Sequence, residues 1–347
     1  MILRLALIGF GNVGQEFARM LLQKREWLIS SKGLDIEVLA IATRSKGNLM
    51  SDRGLDIAKA LDEMETRGDL RHYGEESVDV VPLDVIDGCD ANIVVELTTL
   101  DIGTGQPAID HISYALQSKM HVITANKGPI AFAYDELESL AKSRNVKLRF
   151  EGTVMDGTPI FNLFEKTLQG CEVIRIEGIL NSTSNYVLTE MSRGRSLEDA
   201  VKEAQRKGIV EADPSLDLDG WDAAAKITAL ANVLMGAGST PDRVERRGVG
   251  DISPGDLAAA ASEGKKIKLV AVAERSASGI VIRVSPEKID CTSPFWSVDD
   301  TSSAVTLSTD LMGDITILET NPTITQTAYA VLSDLLLIVE WMRCNQL

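Results

Sequence analysis

The sequence predicts an α/β protein in which a Rossmann-type, doubly wound parallel sheet is joined to an α+β domain with a mixed sheet. Three observations carry that expectation. An apolar strand runs directly into the glycine turn GFGNVG at residues 9 to 14, and a helical pattern follows at once. Two more apolar runs, ANIVVELTT and HVITANK, flank the helical stretch PAIDHISYALQSK, which is the strand, helix, strand order of a parallel sheet. Beyond residue 150 the pattern turns to alternation, as in EVIRIEGIL and GIVIRVSPEKI, the period of antiparallel or mixed strands. The expected boundaries are 1-150 for a dinucleotide-binding domain, completed by a C-terminal helix at about 323-347, and 151-322 for the second domain.

Composition narrows the partners. With 347 residues, 44% of them hydrophobic, the chain can fill two cores. A net charge of -16 repels a phosphate backbone, so nucleic acid is not an expected partner. No apolar run reaches membrane-spanning length; the nearest, YAVLSDLLLIV, is interrupted by Ser333 and Asp334, so no membrane partner is expected either. The opening MILRLALIGFG runs into a glycine turn without a small-residue cleavage site and reads as a first strand. Cys89, Cys171, Cys291 and Cys344 form no CxxC and have no histidine at ligand spacing. They read as buried free thiols of a cytoplasmic protein, and not as a zinc site.

Taken in order, Gly9 permits the tight turn, Gly11 admits a pyrophosphate and Gly14 lets helix pack on strand, with Asn12 and Val13 opening the helix toward the phosphates. The next strand, IEVLAIATRS, is delayed by the insert REWLISSKGLD. Where an NAD site places an acid for the ribose hydroxyls, this chain has Thr43, Arg44, Ser45 and Lys46. A 2′-phosphate suits them better, which predicts NADP in preference to NAD; the plain alternative is that Arg44 is a solvated loop cation. Residues 46 to 87 read as charged and irregular, with little chemistry. Thr98, Thr99, Asn126 and Lys127 fall at the carboxyl ends of the next two strands, where ligands of such sheets bind. YDELESLAKSRN reads as a surface helix and KLRFEGTV as a strand, with a bend at GTVMDGTPIFN.

In the second domain LEDAVKEAQRKG is an amphipathic helix ending at Gly208, followed by GIVEADPSLDLDGWDAAAK and the apolar ITALANVLM. Asp222 and Lys226 are four apart and share a helix face. As a surface pair they contribute about 0.3–0.5 kcal/mol and nothing chemical. A buried helix following them makes a site the alternative. TAYAVLSDLLLIVEW is a long helix that returns to the first domain.

Four segments carry a family resemblance: GFGNVG, TANKGP at 124 to 129, GILNSTSNYVLTEM at 178 to 191, and EADPSLDLDGWDAAAK. Over nearly its full length the chain resembles the homoserine dehydrogenases, in a short form without a fused aspartate kinase or an ACT-type regulatory domain. The resemblance implies NAD(P)-dependent interconversion of L-aspartate 4-semialdehyde and L-homoserine, toward threonine, methionine and isoleucine. It makes 151-322 the catalytic and dimerisation domain, with homodimers formed through its sheet. Matched by motif, Lys226 and Lys127 are the active-site lysines. Glu211, Asp217 and Asp222 hold the substrate's amino group or orient the lysines, while Ser182 and Thr183 contact its backbone end. Glu151, Val154, Asp156 and Thr158 match a loop that binds a monovalent cation in some members. Ile209 stands where some members have a tyrosine, and MDGTP where others have GAGLP.

The chemistry agrees from below. Reducing an aldehyde needs a hydride from the nicotinamide and a proton for the oxygen. His72, His111 and His121 lie in an irregular segment, within a helix and at the start of a strand, which leaves lysine as the acid. An aldehyde dehydrogenase with an acyl intermediate would need a cysteine and a base, neither of which has a motif here. A non-catalytic dinucleotide sensor would need an output surface, and no basic helix or interaction tail is visible.

Overall fold

Leu3, Leu5, Ala6, Leu7 and Ile8 are all fully buried, on both faces of strand β1 (Ile2–Ile8), as the central strand of a parallel sheet must be. The computed structural model describes residues 1–210 and 213–345. Helix α1 (Asn12–Lys32) continues to a left-handed Gly33, so REWLISSK supplies its final turns and is no insert. After β2 (Asp35–Ala42) the stretch read as irregular forms β3 (Asn48–Met50), α2 (Ile57–Thr66), β4 (Ser77–Val78) and α3 (Pro82–Gly88). Then follow β5 (Ile93–Glu96), α4 (Ala108–Gln117), β6 (His121–Thr124), α5 (Lys127–Arg144) and β7 (Leu148–Arg149). Helix α5 starts earlier than its surface pattern indicates, because Asn126 caps it and its first turn, Gly128 to Ala131, is buried. The strand expected at KLRFEGTV ends at Arg149, and two 3-10 turns, Glu151–Thr153 and Met155–Gly157, follow.

These strands form one seven-stranded sheet in the order β4-β3-β2-β1-β5-β6-β7. The five from β2 to β7 run parallel, while β3 and β4 add an antiparallel ribbon at one edge. From β1 the chain moves to β2 on one side and later to β5 on the other. That reversal makes the carboxyl end of β1 the switch point, where such sheets bind ligands.

The second unit contains α6 (Phe161–Thr167), β8 (Val173–Ile179), α7 (Ser182–Ser192), α8 (Leu197–Arg206), α9 (Ser215–Leu218) and α10 (Trp221–Met235). It continues with β9 (Glu245–Arg246), α11 (Pro254–Ser262), β10 (Lys265–Ser276), β11 (Gly279–Asp290), β12 (Ser303–Thr309) and β13 (Gly313–Glu319). Its six-stranded sheet, ordered β13-β12-β8-β10-β11-β9, is antiparallel except for the β9–β11 pair. Helix α10 packs on β8, β10 and β11, burying Ala223 to Ala225 and Ile227 to Asn232.

The compact units comprise Met1–Pro159 with Thr323 onward, and Ile160–Pro322. The last helix, α12 (Ile324–Cys344), packs against α1 in the first unit. The turns at 151–157 pack on it too: Glu151 N–H donates to Asp334 Oδ2 at 2.8 Å, and a Cβ on Gly157 would lie 2.2 Å from that of Ala330. Among the described residues no helix is long and apolar enough to cross a membrane. The cysteine expectation needs correction. Only Cys89 is buried; Cys171 is half-buried, while Cys291, in the turn after β11, and Cys344, in the last turn of α12, are exposed.

Candidate active site

In the first unit the glycine turn is sterically determined. Gly9 has φ +107°, and a Cβ there would lie 2.4 Å from the carbonyl oxygen of Leu97; one on Gly14 would lie 2.5 Å from that of Gly9. A Cβ on Gly11 meets nothing within 4 Å. Gly11 also caps α1 without a side chain, so the amides of Asn12, Val13 and Gly14 open the helix beneath clear space. That is a cradle for a phosphate group.

Arg44 is exposed beyond β2 on the wall of a cavity of about 820 Å³, with Ser45, Asn48, Arg71 and Asp79 among its lining. Thr43 Oγ1 shapes this turn, accepting from Lys46 N–H and donating to the Gly47 carbonyl, both at 2.8 Å. Arg71 donates to the Ser45 carbonyl and pairs with Asp69. The segment read as holding little chemistry thus supplies a second cation to the Arg44 cavity. Arg71 lies 27 residues from Arg44, too far for any local pattern to reveal it.

The crests after β5 and β6 are tied together by Glu96, which is completely buried. It accepts the Thr98 hydroxyl and the Thr98 N–H (3.1 Å) on one oxygen and Thr124 Oγ1 (3.1 Å) on the other. Asn126 Nδ2 donates to the Thr98 carbonyl at 3.1 Å, and its Oδ1 accepts Gly128 N–H at 3.0 Å. Lys127, half-buried, is therefore the first residue of α5 on a turn fixed through Glu96, and Thr99 is exposed on the neighbouring crest. Glu96 escaped the sequence reading because a carboxylate in an apolar strand carries no motif. His111 lies beneath, its Nδ1 3.7 Å from Glu96. His121, buried at the start of β6, accepts Lys147 N–H at 2.9 Å on Nδ1, and burial, aided by the charge of Lys147, pushes it down to about 4. Of the four loop positions matched to a cation, Glu151 and Val154 are buried, Asp156 accepts from Thr327 Oγ1 at 3.4 Å, and Thr158 N–H donates to Met155 O at 2.8 Å.

The second unit brings together most of the residues expected at the substrate. Lys226 Nζ lies 3.0 Å from Asp222 Oδ2 and donates to the Leu180 carbonyl at 2.9 Å. Their side chains are only 16% and 14% exposed, which removes the surface-pair alternative. Asp217, at the end of α9, joins them through Asn181, whose Nδ2 donates to Asp217 Oδ1 at 2.7 Å and Asp222 Oδ2 at 2.9 Å. Burial, and after it the charge of Asp222, pushes the Asp217 carboxyl above its usual value, against hydrogen bonds from Asn181 and Thr183 and the charge of Lys226. Thr183 is buried beside this cluster, whereas the Ser182 hydroxyl sits 3.5 Å from that of Ser303. Glu211 lies outside the described residues.

Comparison with known proteins decides what these arrangements belong to. Residues 9–151 match the family described as homoserine dehydrogenase, NAD binding domain, and residues 159–336 that described as homoserine dehydrogenase. The chain belongs to the homoserine dehydrogenase family. It is 39% identical over 331 residues to a homoserine dehydrogenase of Methanocaldococcus jannaschii, covering 95% of this chain and 96% of that one. It is 34% identical over 334 residues to an NAD(+)-dependent homoserine dehydrogenase of Pseudomonas canavaninivorans, covering 96% and 95%. A hyperthermophilic archaeal homoserine dehydrogenase solved with NADPH is 30% identical and superimposes with a TM-score of 0.83 over 97% of each chain. Membership of the homoserine dehydrogenase family makes the protein an NAD(P)-dependent oxidoreductase. Neither a non-catalytic sensor nor a cysteine-dependent aldehyde dehydrogenase is favoured by these matches.

Proposed function

We propose that the protein interconverts L-homoserine and L-aspartate 4-semialdehyde, on the route to threonine, methionine and isoleucine. The observation that carries this reading is the buried cluster of Asp217, Asp222 and Lys226 in a chain of this family. When bound, the nicotinamide cofactor exchanges a hydride with the carbon bearing the substrate oxygen. Lys226 moves the proton at that oxygen, held in place by Asp222 and the Leu180 carbonyl, and Lys127 stabilises the alkoxide charge. Asp217 and Glu211 hold the α-ammonium, and Ser182 and Thr183 the carboxylate end. Gly9, Gly11, Asn12, Val13 and Gly14 seat the pyrophosphate, while Thr98, Thr99 and Lys127 also contact the cofactor.

The preference for NADP rests on Arg44, since the relatives themselves differ, one named NAD(+)-dependent and one solved with NADPH. The subunits pair as a homodimer through the sheet of the second unit, in the cytoplasm. A monovalent cation at Glu151, Val154, Asp156 and Thr158 rests on the family match; rates in potassium, sodium and choline salts test it. For the reaction and its cofactor, homoserine oxidation is assayed with NAD and NADP in wild type and Arg44→Ala. The expected outcome is turnover with both, and a loss of about 10- to 100-fold with NADP alone in the variant. Equal loss with both cofactors removes the 2′-phosphate role, and no turnover with either removes the reaction.

A further inference from the structure

We propose that Asn181 is a positioning residue whose side-chain amide ties Asp217, which faces the substrate ammonium, to Asp222, which holds Lys226, an assignment that rests on the homoserine dehydrogenase reading. Asn181 is 4% exposed and caps α7 where the chain leaves β8. Its Oδ1 accepts Ser184 N–H at 2.7 Å. Because a backbone N–H only donates, that bond settles which end of the amide is oxygen and turns Nδ2 toward the acids. Both Nδ2 protons are then used, at 2.7 Å on Asp217 Oδ1 and 2.9 Å on Asp222 Oδ2.

Capping alone does not call for asparagine, since serine, threonine or aspartate caps as well. What asparagine adds is two donors without a charge. Two neighbouring carboxylates resist joint ionisation. A cation between them would relieve that, but it would also compete with the substrate's ammonium for the same oxygens. The neutral amide supports both charged forms, leaving the charge of Asp222 to Lys226 and that of Asp217 to the ligand. Lys226 lies 3.0 Å from Asp222, and its charge also acts on Asp217. Asn181 opposes the upward push of burial on Asp217.

Asn181→Asp and Asn181→Ser separate the two roles, because each keeps an acceptor for Ser184 N–H and loses the amide donors. The Asp217 carboxyl is titrated by carbon-13 NMR in both variants, and kcat and KM for homoserine are measured across pH. The titration should move upward by about one pH unit in Asn181→Ser and further in Asn181→Asp. KM should rise roughly tenfold or more near neutrality, with its acid limb moved to higher pH and kcat changed less. Wild-type titration and wild-type KM in both variants would overturn the assignment and leave Asn181 a cap. Should Asn181→Asp fail to fold, the serine variant decides. If the wild-type protein does not oxidise homoserine, that reading fails, and the carboxyl titration still decides the role of Asn181.

Discussion

In the proposed role Asp217 is subject to two opposing demands. Binding an ammonium requires it ionised, yet burial and the charge of Asp222 favour its neutral form. An acid raised in the folded state contributes stability below its unfolded value of ~3.9 and loses it as pH rises through the raised value. Asp217→Asn should therefore raise Tm at pH 7, with the gain vanishing near pH 3 to 4, while homoserine turnover falls about 100-fold or more. Thermal unfolding against pH beside steady-state kinetics checks both halves; a variant less stable than wild type at pH 7 would show that the buried carboxylate is not the destabilising group. Sequence made Asp217, Asp222 and Lys226 legible because they share one contiguous motif. Asn181 was legible only as a letter in GILNSTSNYVLTEM, since its role depends on carboxylates 36 and 41 residues away.

Among the elements, the turn from α9 into α10 carries the acids, and its support comes from a distant segment. Gly220 caps α10 at φ +80°, and Arg246 stacks on Trp221 with 3.8 Å between guanidinium and ring centre. Val249 N–H donates to the Leu218 carbonyl at 2.8 Å, and a Cβ on Gly248 would lie 2.4 Å from that oxygen and 2.6 Å from the Cα of Asp219. Both obstacles are backbone. Gly248→Ala should therefore displace the turn, at a cost of about 1–3 kcal/mol, and raise KM for homoserine while leaving dinucleotide affinity unchanged. Denaturant unfolding and kinetics measure this, and wild-type KM would show that the turn does not depend on Gly248. The strand β6 supplies a second test. The folded state favours neutral His121, so the stability it contributes is present above ~6.5 and is lost as pH falls toward about 4. In His121→Gln, Tm should fall less steeply than wild type across that window, by up to one proton's worth, ~1.4 kcal/mol per pH unit. Parallel slopes would assign the acid sensitivity elsewhere.

At the scale of the whole molecule, the first unit matches the NAD binding domain of the family and has its glycine turn on a parallel sheet, while the second has the acid–lysine cluster on a mixed one. The parallel sheet was legible because buried central strands read as unbroken apolar runs, and the mixed sheet because exposed faces force alternation. The ribbon of β3 and β4 was not, since strands of three and two residues are too short to show a period. The end of β7 was missed for a related reason: the apolar pattern of KLRFEGTV continues into 3-10 turns that bury Glu151 and Val154 against α12. In the proposed function Lys226 serves the substrate oxygen while the first unit holds the dinucleotide. The decisive measurement is kcat/KM for homoserine oxidation together with NADPH affinity in Lys226→Ala. Turnover should fall about 10²- to 10⁴-fold with NADPH affinity within about twofold of wild type; turnover retained, or affinity lost in equal measure, would remove Lys226 from the substrate oxygen.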